Sequence, residues 1–180
     1  NAVGECDAGM MRGGCGDASH QFALQFEGIG NRFANAGRVT AGYDADGEVA
    51  GGNTNSIAVL LDGIGNSVTN FGTIQGAGTG VQGVAFTGGS NDLFNSGTIL
   101  VEGDESIAVR LSAIATSTVD GPAAAPVIAR IENDGRIEAY GDNAIGIAIF
   151  SLEGQSNLIT NTAEGTSEAE GVAVQGGDGT

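Results

Sequence analysis

The sequence has no lysine and no tryptophan, and only two prolines, two cysteines and one histidine among 180 residues. Aromatic residues make up 5% of the chain, so a thick core built on large rings is not expected. No apolar run reaches the length of a membrane-spanning helix. No basic segment followed by an apolar one opens the chain, so we expect an export signal to be absent or already removed.

Basic residues are also few. Six arginines face 22 acidic residues, which gives a formal net charge of −16. A chain of this charge repels nucleic acid and anionic membranes, so both are excluded as partners. The glycine-rich stretches lack the order of a phosphate loop or a dinucleotide fingerprint, and His20 has no visible serine and acid partners for a hydrolytic triad.

Glycine, in contrast, is abundant at 33 residues, and it recurs within a repeated pattern. The pattern is Asn-x-φ-x-Asn-x-Gly, where φ is a large apolar residue. The fourth copy lacks the first Asn and the fifth lacks the Gly. The five copies span residues 31–37, 66–72, 91–97, 129–135 and 157–163.

The spacing within each copy has a period of two, which is the geometry of a β-strand. The repeated Asn and apolar positions share one face, and we expect that face to be buried. A buried amide is costly unless it is hydrogen-bonded, and a stack of identical coils supplies a partner above and below. The Gly at a fixed position of the repeat indicates a corner that needs positive φ or close backbone approach. The predicted ladder consists of Asn35, Asn70, Asn95, Asn133 and Asn161.

A second repeated stretch, apolar-Ala-apolar, alternates with the first. We interpret its alanines as one outward column of small residues that another chain or a loop could cover: Ala23, Ala58, Ala85, Ala108, Ala148 and Ala173.

Together the two repeats predict an all-β, right-handed parallel β-helix, or β-solenoid, of about six coils, the last incomplete. Successive ladder asparagines lie 35, 25, 38 and 28 residues apart, so the longer steps carry insertions. The predicted organisation is a Gly-rich N-terminal segment, 1–20, that could act as a cap, followed by the β-helix over 21–180. The inserted loops are 40–55 and 112–126. The second loop holds both prolines, so it must leave the sheets, either as a functional protrusion or as a tolerated insertion.

Two sets of residues are candidates for a disulfide bond or a metal site. Cys6 and Cys15 are close in sequence and favour a local disulfide in an oxidising compartment; the alternative, a metal site, would have two thiols and the distant His20. Asp44, Asp46 and Glu48 form a weak calcium candidate, against the alternative of a solvated acidic turn. No other cofactor is expected.

The outward row of the fourth copy is the best candidate for acid–base chemistry, although alternating charges on a strand also serve solubility. It contains Arg130, Glu132, Asp134, Arg136 and Glu138. By parity Phe71 and Phe94 also point outward, as an aromatic contact surface or as residues covered by local turns.

The Asn-x-Gly turns, separated by strands such as Ser56-Ile-Ala-Val59 and Gly171-Val-Ala-Val174, resemble the passenger domains of bacterial autotransporters, which type V secretion carries to the outer membrane. The resemblance covers about residues 20–175. It implies a right-handed parallel β-helix at the cell surface or shed from it, with few, closely spaced cysteines. No translocating barrel sequence accompanies the repeats, so the chain is expected to be a fragment or a released passenger.

The sequence therefore predicts a structural or adhesive protein, extracellular or on the bacterial surface: a passenger-like stalk or filament-forming unit rather than an enzyme. Its partners would be copies of itself, further coils of a longer chain, or a host or cell-surface carbohydrate or protein. Self-association is expected because strands 22–24 and 172–174 look uncapped and carry no proline. The alternative is a polysaccharide-acting enzyme on the same scaffold.

Overall fold

The computed structural model describes residues 5–7, 10–12, 22–43, 54–112, 129–151, 157–161 and 172–176. Side-chain environments are described for 22–43, 54–112, 130–150 and 159–160. The described residues form strands, turns and bends, with no helix among them.

Each strand is short, and its ends fall at glycine, asparagine or other polar turn residues. In chain order the strands are β1 (Glu5–Asp7), β2 (Met10–Arg12), β3 (Phe22–Ile29), β4 (Arg32–Asn35), β5 (Arg38–Ala41), β6 (Ile57–Ile64), β7 (Ser67–Asn70), β8 (Thr73–Ala77), β9 (Gln82–Thr87), β10 (Asp92–Asn95), β11 (Thr98–Glu102), β12 (Ile107–Ser112), β13 (Ala129–Asn133), β14 (Arg136–Tyr140), β15 (Ile145–Ser151), β16 (Asn157–Asn161) and β17 (Val172–Gly176).

The strands build three sheets, which the chain visits in a fixed cyclic order from β3 to β16. Sheet I has the order β3-β6-β9-β12-β15-β17, and sheet II has the order β4-β7-β10-β13-β16. Sheet III has the order β1-β2-β5-β8-β11-β14. Pairing is parallel throughout except between β1 and β2, which are antiparallel. This architecture of stacked parallel strands is consistent with a β-solenoid, and one passage through sheets I, II and III is called a coil below.

Identical or similar residues align along the stack, because the parallel register is continuous across the insertions. In sheet II, Phe33, Val68, Leu93 and Ile131 lie side by side. In sheet III, Val39 is followed by Ile74, Ile99 and Ile137. These columns meet those of sheet I in a single main core cluster, so the interior is narrow and lined mainly by aliphatic side chains.

Three corners turn the chain from sheet to sheet, and two of them require positive φ. Gly30, Gly65 and Ser90 take φ between 55° and 71° between sheets I and II. Between sheets III and I the corresponding residues are Asn55, Gly80, Glu105 and Asn143, with φ between 57° and 66°. Such angles suit glycine and asparagine, so Ser90 and Glu105 hold a less favourable backbone conformation.

The third corner, after sheet II, carries the repeated glycine for another reason. A Cβ added to Gly72 would lie 2.1 Å from the carbonyl oxygen of Gly37, and one added to Gly97 would lie 2.1 Å from that of Gly72. Neither residue has a positive φ. Of the two explanations that the sequence left open, close backbone approach is the one the structure shows.

The expectation of a single outward alanine column is wrong. Ala85 aligns with Leu60 and Arg110, and Ala148 aligns with Arg110, so these alanines belong to one column of sheet I. Ala23, Ala58 and Ala108 pack instead in the main core cluster, and the residue that follows each of them in sequence belongs to the same cluster. The alternation of inward and outward side chains is therefore broken at the start of these strands. The repeated apolar-Ala-apolar triplets in the sequence did not reveal this break.

Candidate functional site

The most regular polar feature of the structure is a buried row of asparagine side chains at the end of sheet II. The Asn35 Nδ2 donates to Asn70 Oδ1 at 2.8 Å, and Asn70 Nδ2 donates to Asn95 Oδ1 at 2.7 Å. Asn95 Nδ2 in turn donates to Asn133 Oδ1 at 2.7 Å. Asn70 and Asn95 are fully buried, and Asn35 and Asn133 are nearly so. Asn161 aligns with Asn133 in the backbone register, but its side chain lies outside the described residues.

Each amide in this row also binds the backbone of the corner that follows. Asn70 Nδ2 lies 3.3 Å from the Gly72 carbonyl oxygen and 3.2 Å from that of Thr98 in the next coil. The Asn95 amide repeats these contacts with Gly97 and Arg136. The row therefore satisfies buried polar groups and holds one corner of successive coils at a fixed spacing.

A second asparagine row lies where sheet II begins, and it was not included in the predicted ladder. The backbone N–H of Asn31 donates to Asn66 Oδ1 at 2.9 Å, and that of Asn66 donates to Asn91 Oδ1 at 2.9 Å. Asn66 and Asn91 are buried. The sequence did indicate this second row, because Asn31, Asn66 and Asn91 are the first Asn of the repeated pattern in its first three copies.

The charged row of the fourth copy does not form one acid–base site. Arg130 pairs with Glu132 on sheet II, and Arg136 pairs with Glu138 on sheet III. Asp134 lies exposed at the corner between the two sheets. Each Glu is thus next to an Arg two residues before it on its own strand, and the Glu138 side chain is only 7% exposed. The two carboxylates lie on different sheets rather than facing each other across a cleft.

The two outward phenylalanines do lie together. The ring centroids of Phe71 and Phe94 are 6.2 Å apart, in an edge-to-face arrangement. Phe71 is 59% exposed, whereas Phe94 is partly buried. The pair is a small exposed apolar contact between neighbouring coils.

A polar cluster that the sequence did not indicate lies on the outer face of sheet III. The Tyr43 hydroxyl donates to a Glu102 carboxylate oxygen at 3.3 Å, although Tyr43 follows β5 and Glu102 ends β11, which lies two positions from β5 in the sheet. Arg38 donates to Gln75 Oε1 at 3.1 and 2.6 Å. Burial raises the pKa of Tyr43 above its usual value of 10.0, and the Glu102 charge raises it further, against smaller lowering effects of Arg38 and Gln75.

The remaining predicted sites lie outside the part of the chain whose side chains are described. Cys6 is on β1, where only the backbone is described, and Cys15 lies outside the described residues. The calcium candidates Asp44, Asp46 and Glu48 also lie outside them. Among the described residues, no group of three His, Cys, Asp or Glu side chains is placed to hold a metal ion. That part of the chain also has no helix long and apolar enough to span a membrane.

Comparison with protein-family models, curated proteins and solved structures found no match to this chain.

Proposed function

We propose that this protein is a structural and adhesive unit of a bacterial surface: a rigid β-helical stalk of passenger type. The observation that carries the proposal is the continuous parallel register, with its chain of buried asparagine hydrogen bonds from Asn35 to Asn133. Such a stack resists bending because each coil is fixed to the next on three sheets. A rigid spacer that displays loops is a natural use of this construction.

In this proposal the β-helix is right-handed and has about six coils. The handedness follows from the general preference of parallel strand crossovers, which are right-handed in nearly all known proteins. The coil number follows from the repeats in the sequence. The insertions lengthen individual coils without disturbing the register, as the alignment of Asn95 with Asn133 across a 38-residue separation illustrates.

The proposal favours a binding and scaffold role over polysaccharide cleavage. In a carbohydrate-cleaving site two carboxyl groups face each other across the substrate, with distinct protonation states. Here Glu132 and Glu138 are on different sheets, and each is paired with an arginine.

The proposed location is extracellular, and the proposed disulfide between Cys6 and Cys15 belongs to it. Mass analysis of native material with and without reductant tests this pairing. An increase of about two mass units on reduction is expected for the bonded pair. Two free thiols in native material would contradict it.

Surface display and adhesion are tested together on the producing cells. We expect antibodies against the folded chain to label intact cells, and beads coated with the protein to bind a target cell layer better than albumin-coated beads. Labelling only after permeabilisation would contradict the location. Equal binding of both bead types would contradict adhesion, and release of reducing sugar ends from polysaccharide would favour an enzyme.

A further inference from the structure

Arg110 occupies an unusual position on the outer face of sheet I. It lies on β12 between Val109 and Leu111, both of which face the core, so its own side chain leaves the opposite face. Its register neighbours are Ala85 on β9 and Ala148 on β15. Two alanines leave the guanidinium without large side chains directly beside it.

The guanidinium is held from one side by an aromatic ring. The Arg110 Cζ lies 5.4 Å from the centroid of the Phe150 ring, a cation–π contact. Phe150 aligns with Ser112, two residues beyond Arg110 on the same face, and the ring is 38% exposed. The contact fixes the direction of the arginine and leaves part of the ring open to solvent.

Arg110 lacks the acidic partner that two other described arginines have. Arg130 and Arg136 pair with glutamates, whereas no ion pair involves Arg110 within the described part of the chain. Its Nε is buried and makes no hydrogen bond, and the same is true of Ser112 Oγ. Both atoms are enclosed by protein, so a ligand would contact the outer part of the guanidinium and the Phe150 ring.

We propose that this surface, defined by Arg110 and Phe150, binds a carboxylate-bearing sugar at the end of a glycan. The guanidinium receives the carboxylate. The exposed part of the Phe150 ring packs against the apolar face of the sugar ring. The inference rests on the proposed adhesive function and names the chemistry of one ligand for it.

Charge selects a single acidic group rather than a polyanion. The chain carries a net charge of −16, so a polymer with many carboxylates or sulfates is repelled as a whole. One carboxylate seated on an unpaired arginine experiences mainly the local charge, because distant surface charges are screened beyond about 8 Å at physiological salt.

The sheet geometry favours a sugar over an acidic peptide. Extended peptides commonly bind by adding a strand to an open sheet edge. β12 lies inside sheet I, hydrogen-bonded to β9 and β15 on its two sides, so it offers no free backbone edge. What the surface offers is one cation beside one ring, a pair that matches an acidic monosaccharide.

The test compares methyl glucuronide with methyl glucoside, which differ in the carboxylate. Each is titrated into isotope-labelled protein while the Arg110 Nε–H resonance is followed by NMR. We expect the glucuronide to bind with a dissociation constant on the order of 1 mM, and the glucoside about tenfold more weakly. Equal affinities, or no shift of this resonance at saturating glucuronide, would overturn the proposal.

Variants locate the site. Arg110→Gln should remove the preference for glucuronide, whereas Arg130→Gln, a matched change on sheet II, should retain it. If Arg110→Gln fails to fold, Arg110→Lys takes its place in the test. Lysine keeps the charge without the planar guanidinium, so this variant should bind the glucuronide about three- to tenfold more weakly than the unchanged protein. Equal loss in the Arg130 variant, or tighter binding of an acidic peptide or of heparin, would contradict the assignment. Bead adhesion that persists in Arg110→Gln would contradict this inference without contradicting the proposed adhesive function.

Discussion

At the scale of single residues, the buried asparagines explain how polar side chains can occupy the interior of a narrow stack. Each amide donates to the next coil and to a corner carbonyl, so the desolvation of one residue is offset by its neighbours. The stacked Gly72 and Gly97 complete this corner, since only a residue without a Cβ allows successive coils to approach so closely.

Replacing Asn95 with Leu should lower the free energy of unfolding by about 1–3 kcal/mol, because Asn70 and Asn133 each lose a partner inside the protein. Urea denaturation followed by circular dichroism measures the change. Asp92→Ala, on the exposed side of the same strand, serves as the control and should change stability by less than about 0.5 kcal/mol. Equal effects of the two substitutions would show that the ladder does not stabilise the fold.

Replacing Gly97 with Ala should destabilise the protein by about 1–3 kcal/mol, because the added methyl group overlaps the Gly72 carbonyl oxygen. Thermal unfolding of this variant can be compared with that of Ser96→Ala, a change at the exposed adjacent residue. An unchanged midpoint for Gly97→Ala would mean that the corner has room for a side chain.

At the scale of strands, the sequence was sufficient to predict which faces of sheets II and III are inward. The repeated pattern there keeps a strict period of two, and its large apolar residues, such as Val68 in sheet II and Ile99 in sheet III, are buried as that period requires. The same reasoning failed in sheet I. Ala58 and Val59 are consecutive yet both lie in the core cluster, so a triplet match could not fix the alignment of Ala85.

The outer-surface contacts were less predictable from the sequence. Parity placed Glu132 and Glu138 outside, but the arginine that each would contact depends on side-chain conformation and on which sheet each strand joins. The contact between Tyr43 and Glu102 joins residues 59 positions apart, and no local pattern encodes such a separation. The outward Phe71 and Phe94, in contrast, belong to the regular repeat.

The environment of Tyr43 gives a pH prediction. The raised pKa means that the neutral phenol is favoured in the folded protein, so its contribution to stability is present below pH 10 and is lost as the pH rises through the folded-state pKa. Absorbance titration of Tyr140→Phe, which leaves Tyr43 as the sole tyrosine, should give a midpoint above 10.0. Adding Glu102→Gln should lower that midpoint, since the carboxylate raises it. A midpoint at or below 10.0 in the single variant would contradict the described contact.

At the scale of the whole molecule, the sheets end in edge strands of a kind that favours association. Among the described strands, β3 and β4 have one neighbour each, and an unpaired strand edge is a template for pairing with another strand. A head-to-tail contact of this type extends without closing, and the high negative charge limits lateral aggregation between stacks.

We therefore expect the purified chain to form linear assemblies at high concentration, detected by light scattering and electron microscopy. Ile29→Lys places a charge at the end of edge strand β3, where Ile29 is 83% exposed, and should weaken assembly. Ile64→Lys is the matched control, because Ile64 aligns with Ile29 but lies on the inner strand β6. A stable monomer at high concentration would exclude end-to-end self-association.

The central claim is that a buried asparagine ladder joins the coils into one rigid stack. Hydrogen exchange of side-chain amides, measured by NMR, tests it most directly. The Nδ2 protons of Asn70 and Asn95 should exchange at least about 100-fold more slowly than those of the exposed Asn143, because they are fully buried and hydrogen-bonded. Exchange of all three amides at the same rate would contradict the ladder and, with it, the account of how the coils are held together.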